Sequence, residues 1–139
     1  VKITIENSAP KEVKIEKRIL KKLNSLLLLN LDYLNIILLT DEKLLEINQK
    51  YLNHNYYTDI ITFDLRDEWS NEASLYLSVE RIKDNAQKVK VSFEQELMRI
   101  LIHGLLHLAG YKDKTKKEKI EIKKQEDHYL GLLFHVKNK

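Results

Sequence analysis

Apolar and polar residues alternate through VKITIE at positions 1–6, the period-two pattern of a strand with one buried face. Pro10 punctuates, and KEVKIEKRILKKLNSLLLLN, residues 11–30, then reads as a basic amphipathic helix. YLNIILLT is a second strand, apolar enough to be buried on both faces. Thr40 can cap the next helix, DEKLLEINQKYLNH, whose Asp41 and Glu42 complement the helix dipole. A polar loop with Tyr56 and Tyr57 leads into TDIITFDL, a third strand rich in β-branched residues, and SLYLSV is a fourth. ERIKDNAQKVK is a short helix. Ser92 with Gln95 makes a capping box opening a helix that runs to about Ala109. Thr115 with Glu118 makes another, opening a long lysine-rich helix. The order β-α-β-α-β-β-α-α-α, without repeats or a low-complexity linker, predicts one α/β domain of α+β character over residues 1–139. Its small mixed sheet of about four strands carries helices packed on it.

Composition narrows the classes. With 43% hydrophobic and 32% charged residues this is an ordinary globular chain. There is no cysteine, so neither disulfides nor thiolate ligands hold it together, which fits a reducing cytoplasm. The N-terminal alternation does not resemble a secretory leader, and the run LLLLNLDYLNIILLT is interrupted by Asn30, Asp32 and Asn35, which argues against a membrane span. The net charge of +3 is unevenly spread. Residues 112–124 hold seven lysines and three acids, a local excess suited to a nucleic-acid surface or to a solvated helix face.

The candidate chemistry sits in HGLLHLAGYKD, residues 103–113. His103 and His107 are four apart, so on a helix they share one face and can chelate one ion at roughly 2.0–2.1 Å. Gly110 suits the left-handed position that ends a helix, after which the chain can turn back and bring Asp113 toward the pair. Two imidazoles and one carboxylate leave a coordination position open, the arrangement of catalytic rather than structural zinc. One divalent ion per chain is therefore expected, with zinc the first choice. The zincin pattern H-E-x-x-H requires a glutamate where this chain has Gly104, so a peptidase of that type loses support. A glycine inside a helix is most readily explained by close approach of another backbone or of a substrate.

These residues resemble the YbeY family of bacterial metal-dependent endoribonucleases, whose signature is usually H-G-x-L-H-L-x-G-Y-D-H. EINQKYLNHNYYTDIITF is similar to the family's N-x-x-Y…P-T-D-V-L-S-F segment, and LYLSVERIKDNA to its G-D-I-x-I-S-x-x-x-x-x-x-N-A segment. The likeness covers about residues 40–113. It implies an α/β fold with the metal between the histidine helix and the sheet. It also implies cleavage of single-stranded RNA in ribosomal RNA maturation, near the 3′ end of the small-subunit RNA, and in ribosome quality control. The implied partners are RNA and the small ribosomal subunit or its assembly factors, with no membrane. The family's third histidine falls on Asp113, its preceding aspartate on Lys112, and an arginine commonly found after Tyr51 is replaced by Leu52. Tyr57 stands for the family proline, and Ala73-Ser74 for its Gly-Asp.

Beyond a metal-activated water or metal-polarised phosphodiester, catalytic roles are open; His54, Arg66, Lys112 and Lys114 are the candidates to meet a phosphate or move a proton. Lys112, Lys114, Lys116 and Lys117 are candidates for RNA contacts, as is the basic run from Lys11 to Lys22. Tyr51, Tyr56 and Tyr57 offer rings on which an unpaired base could stack. Gly104 and Gly110 are assigned structural roles at the site. The competing reading is a ribosome-associated RNA-binding assembly factor with a non-catalytic metal site, and the missing arginine is its best support. A metal-dependent amidase or peptidase would need a general base that is not evident beside the histidines.

Overall fold

A computed structural model describes residues 1–134. The elements are β1 (Lys2–Asn7), α1 (Lys17–Leu26), β2 (Tyr33–Leu39), α2 (Asp41–Leu52), β3 (Ile60–Asp64), β4 (Glu72–Ser78), α3 (Val79–Val89), α4 (Phe93–Leu108) and α5 (Lys116–Phe134), in the expected order. The strands form one mixed sheet in the order β1-β2-β4-β3, with β1, β2 and β4 parallel and the edge strand β3 antiparallel to β4.

Period two sets the two faces of this sheet. Leu34, Ile36 and Leu38 of β2 and Ala73, Leu75 and Leu77 of β4 are fully buried on the face covered by α1, α3, α4 and α5. The opposite face is covered only in part, by α2, whose Leu44 packs with Leu39 and Ile61. Strand β2 is therefore not buried on both faces as its composition suggests: Tyr33 is exposed, and Asn35 and Ile37 are half-buried.

The first helix is shorter than the 11–30 expected. Val13 and Ile15 are half-buried at alternate positions of a non-helical segment, so their apolar period is two before it becomes helical. At the other end, Leu28 and Asn30 take left-handed φ values of 55° and 53°. Buried Asn24 closes this turn, its Oδ1 accepting from the Leu31 N–H at 2.9 Å, which lets Leu29 and Leu31 enter the core while Leu28 faces solvent. Capping succeeds where it was anticipated. Thr40 and Ser92 accept from the N–H groups of Lys43 and Gln95, and Thr115 and Glu118 exchange both bonds of a capping box at 3.1 and 2.9 Å.

Helix α4 runs through the middle of the molecule, apolar on most of its circumference, between the sheet, α3 and α5. Gly104 is buried against the sheet. A Cβ placed there would lie 2.8 Å from Ile60 Cδ1, 3.1 Å from Leu75 Cδ2 and 3.3 Å from Thr62 Oγ1. The close approach is thus made by sheet side chains rather than by a backbone or a substrate. It also means that a glutamate at this position would point into the core, so a zincin-type base has no room here. Gly104→Ala should lower stability by about 1 kcal/mol, an overpacking cost of roughly 2 kcal/mol offset by the better helix propensity of alanine. Chemical denaturation would show this as a lower midpoint at unchanged slope, and an unchanged midpoint would mean that Ile60 and Leu75 yield freely.

Candidate metal centre

The chain reverses at the end of α4 through a Schellman motif. Gly110, at φ +102°, donates its N–H to the His107 carbonyl, and Tyr111 donates to that of Leu106, each at 3.0 Å. Arg66 completes the terminus, donating to the Leu108 carbonyl at 2.7 Å while its guanidinium forks onto Asp64 at 2.8 and 2.7 Å. The reversal carries Asp113 back to the histidines and leads into α5, which packs antiparallel to α4 through Ile122, Glu126 and Leu130.

His103, His107 and Asp113 come together. The two imidazole Nε2 atoms are 3.0 Å apart, and the Asp113 Oδ2 lies 3.2 Å from that of His103 and 3.3 Å from that of His107. Ligands held at 2.0–2.1 Å around a tetrahedral ion sit roughly 3.3 Å from one another, so this triangle has the dimensions of three corners of such a shell. Two neutral imidazoles and a carboxylate suit a divalent ion of the zinc type and, as three protein donors, would leave one coordination position for water or substrate.

Behind the triangle stands a carboxylate that was not singled out from the sequence. Glu126, buried on α5, lies with its Oε2 2.6 Å from His103 Nδ1, and its Oε1 accepts from Arg99 at 3.0 Å; Arg99 also donates to Asp127 at 2.6 Å. A carboxylate on the remote imidazole nitrogen fixes the tautomer that turns Nε2 toward an ion and raises its basicity. Two signals were legible: Glu126 occupies the buried stripe Ile122–Glu126–Leu130, and Arg99, His103 and His107 recur every four residues on one face of α4.

Burial disfavours a charged His103, yet the hydrogen bond and charge of Glu126, with the charge of Asp113, hold its imidazole above the ordinary value of 6.5. The sign of the pH dependence follows. In the metal-free protein the stability contributed by charged His103 is complete below pH 6.5 and is lost as pH rises through the folded value. Metal binding requires the neutral ring, so zinc affinity runs the other way, falling about tenfold per pH unit below that value for the one proton displaced. Zinc titrations across pH 5.5–8.5 beside thermal melts of the metal-free protein should show these opposite slopes; parallel slopes would remove His103 as the coupled group.

Two clefts meet at the triad. One, of about 560 Å³, is bounded by α2 and β3 and lined by Leu52, His54, Tyr56, Asp59, Lys114 and the three candidate ligands. The other, of about 520 Å³, lies between α3, α4 and α5 and shares Asp59, His103 and Asp113 with the first. Buried Asn48 shapes the first cleft: its side-chain amide donates to the Tyr56 carbonyl at 2.9 Å and its backbone carbonyl accepts from the His54 N–H at 3.1 Å, which holds the 53–57 loop over it. His54 stacks on Tyr56, and its Nδ1 lies 3.0 Å from the Tyr56 hydroxyl.

The other candidates separate. His54 and Lys114 line the first cleft with the triad, whereas Arg66 braces the C-terminus of α4, and Lys112, Lys116 and Lys117 are exposed outside both clefts. Leu52 places an apolar side chain in the cleft where the family pattern has a cation. Tyr51, Tyr56 and Tyr57 are all exposed; Tyr51 packs edge-on to Phe63, and the Tyr57 hydroxyl donates to Glu42 at 2.6 Å. Asp59, absent from the sequence-derived candidates, accepts from Asn85 at 3.2 Å, and burial pushes its carboxyl above the usual carboxylate range against the charge of His103. The threonine-aspartate pair Thr58-Asp59 in the YTDIITF segment was its signal.

The model of the family described as Endoribonuclease YbeY matches residues 3–133. The chain belongs to this family. Relatives named Endoribonuclease YbeY include one from Flavobacterium psychrophilum, 49% identical over 106 residues that span 75% of this chain and 74% of the relative. Another, from Cytophaga hutchinsonii, is 50% identical over 100 residues, 71% of this chain and 70% of the relative. The solution structure of TM1509 from Thermotoga maritima superposes with a TM-score of 0.62 at 27% identity, covering 96% of this chain and 93% of that one. The matched range of the family model includes His103, His107 and Asp113.

Proposed function

We propose that this protein is a single-strand-selective endoribonuclease that uses one divalent ion, zinc, held by His103, His107 and Asp113. Its substrate is ribosomal RNA near the 3′ end of the small-subunit RNA, its wider role is ribosome quality control, and its partners are the small subunit or its assembly factors in the cytoplasm. Among the described residues no helix is long and apolar enough to cross a membrane. The observation that carries the reading is the triangle of three ligand atoms, 3.0–3.3 Å on a side, backed by Glu126 and open to a cleft.

A divalent ion held by these three residues would supply Lewis-acid chemistry toward a phosphoryl oxygen and would make water more acidic there. The remaining work falls to the chain. Glu126 keeps the His103 ring turned into the cleft. Lys114 is the cation that the cleft offers to a phosphate in place of the family arginine. Asp59 has the raised carboxyl suited to hold a proton for the leaving oxygen, and His54 offers a second ionisable group on the opposite rim.

The test is cleavage of a labelled single-stranded RNA carrying a small-subunit 3′-end sequence. Activity should need added zinc, fall by about a hundredfold or more in His107→Ala, and fall in kcat rather than KM in Asp59→Asn. The apolar Leu52 in the cleft favours the second reading, an RNA-binding assembly factor with a non-catalytic ion. Tight RNA binding without zinc-dependent cleavage, alone or with small subunits added, would establish that reading instead.

A further inference from the structure

The second cleft contains a carboxylate for which the metal site has no use. Glu96, on the first turn of α4, is only 7% exposed and lines this cleft, and among the described residues its side chain makes neither a hydrogen bond nor an ion pair. Its carboxylate oxygens keep contact with the cleft and feel the charge of Arg99, but no N–H is aimed at them, so a bound group that donates to Glu96 would gain a charge-assisted hydrogen bond there. Around it the lining is of mixed character. Val91 and Ile122 supply apolar surface, and Lys119 and Lys123, one turn apart on α5, stand exposed at the rim without ion pairs among the described residues. Arg99, also in the lining, is already committed to Glu126 and Asp127. Asp59, His103 and Asp113 belong to both clefts, so whatever occupies this one lies directly beside the triad.

A ligand matching this lining has an anionic part for the lysines, a flat body for the apolar surface and an N–H donor for the acid. We propose that the second cleft is a ribonucleotide subsite flanking the scissile phosphate, with Lys119 and Lys123 on the backbone and Glu96 accepting from the amino edge of the base. The inference rests on the ribonuclease reading. Cytosine, with its exocyclic amino group, satisfies Glu96, whereas uracil presents a carbonyl oxygen at the same place, lone pair against lone pair. The subsite therefore favours cytidine over uridine, and adenosine, which also carries an amino group, sides with cytidine. A basic protein segment is the rival occupant, but it would bring its own cations against Lys119 and Lys123.

The experiment is fluorescence anisotropy of the full chain with labelled hexacytidylate and hexauridylate in EDTA, which prevents cleavage. Wild type should bind the cytidine hexamer about five- to tenfold more tightly. Glu96→Gln, whose amide can donate or accept, should bring the two within about twofold while folding normally. Lys119→Gln/Lys123→Gln should weaken both alike and reduce the salt slope by about 1.4 for two lost phosphate contacts on a single strand. With zinc restored, cleavage of an RNA randomised around the cut should show uridine depleted at one flanking position in wild type and not in Glu96→Gln. Equal binding of both hexamers by wild type, or discrimination that survives Glu96→Gln, overturns the subsite. Glu96-dependent capture of a hexalysine peptide in preference to either RNA does so as well. If zinc-loaded protein cuts no RNA while Glu96-dependent discrimination persists, the ribonuclease reading falls and the nucleotide site stands.

Discussion

The His107→Ala protein, purified without an affinity tag, should carry less than about one-tenth of the wild-type metal. Structural zinc sites with four protein ligands bind with an apparent 10–16 kcal/mol, or about 3 kcal/mol per ligand, so removing one of three costs roughly a hundredfold in affinity. Elemental analysis should find about one zinc per chain in wild type. Asp113→Ala should lose less, because Asp113 is half-exposed and water can enter its place, whereas His107 is anchored on a helix that cannot shift without disturbing Leu105, Leu106 and Leu108 in the core. Asp113→His, which restores the usual third residue of the family signature, should keep its zinc. Full metal occupancy in His107→Ala would place the ion elsewhere and end the triad assignment.

Glu126→Ala should damage stability and metal binding together. Its two oxygens serve two donors, Arg99 at 3.0 Å and His103 at 2.6 Å, on a carboxylate that is almost completely buried. Breaking a buried ion pair commonly costs 3–5 kcal/mol, and the lower end applies because Arg99 keeps Asp127; for a chain of this size about 3 kcal/mol lowers Tm by roughly 10 °C. Loss of the carboxylate behind a ligand histidine costs a further ten- to hundredfold in metal affinity. Glu126→Gln should fall between, since an amide has one acceptor oxygen where two are in use and its NH₂ would face a donor. Both variants should also lose the pH dependence of metal-free stability assigned to His103. A lower Tm with unchanged zinc affinity would make Glu126 a packing residue alone.

What could be read from the chain depended on how local its cause was. The element order, the caps at Thr40, Ser92 and Thr115, the reversal at Gly110 and the candidate metal triad all rest on residues within a turn or two of one another. Helical spacing places His103 beside His107, and the left-handed Gly110 returns Asp113 six residues on. The N-terminal helix is shorter than its pattern implies for the complementary reason. LKKLNSLLLLN continues an apolar helical period, but burial of Asn24, with its bonds to the Leu31 backbone, breaks the helix from a distance of seven residues.

The sequence by itself determined the order of elements, the family and the three candidate ligands, because periodicity, capping and a four-residue histidine spacing are properties of neighbouring positions. Only the tertiary structure decided which side of α4 meets the sheet, and so that Gly104 is a packing contact with Ile60 and Leu75 rather than a gap for a substrate. It also decided that Glu126, an acid in the α5 stripe Ile122–Glu126–Leu130, faces His103 and becomes its support. Arg66 became a brace on the Leu108 carbonyl, and Asp59 and Glu96 became acids lining two clefts that meet at one site. A carboxylate or guanidinium takes its role from what faces it across 20 or more residues of chain, and that is set by packing rather than by local pattern.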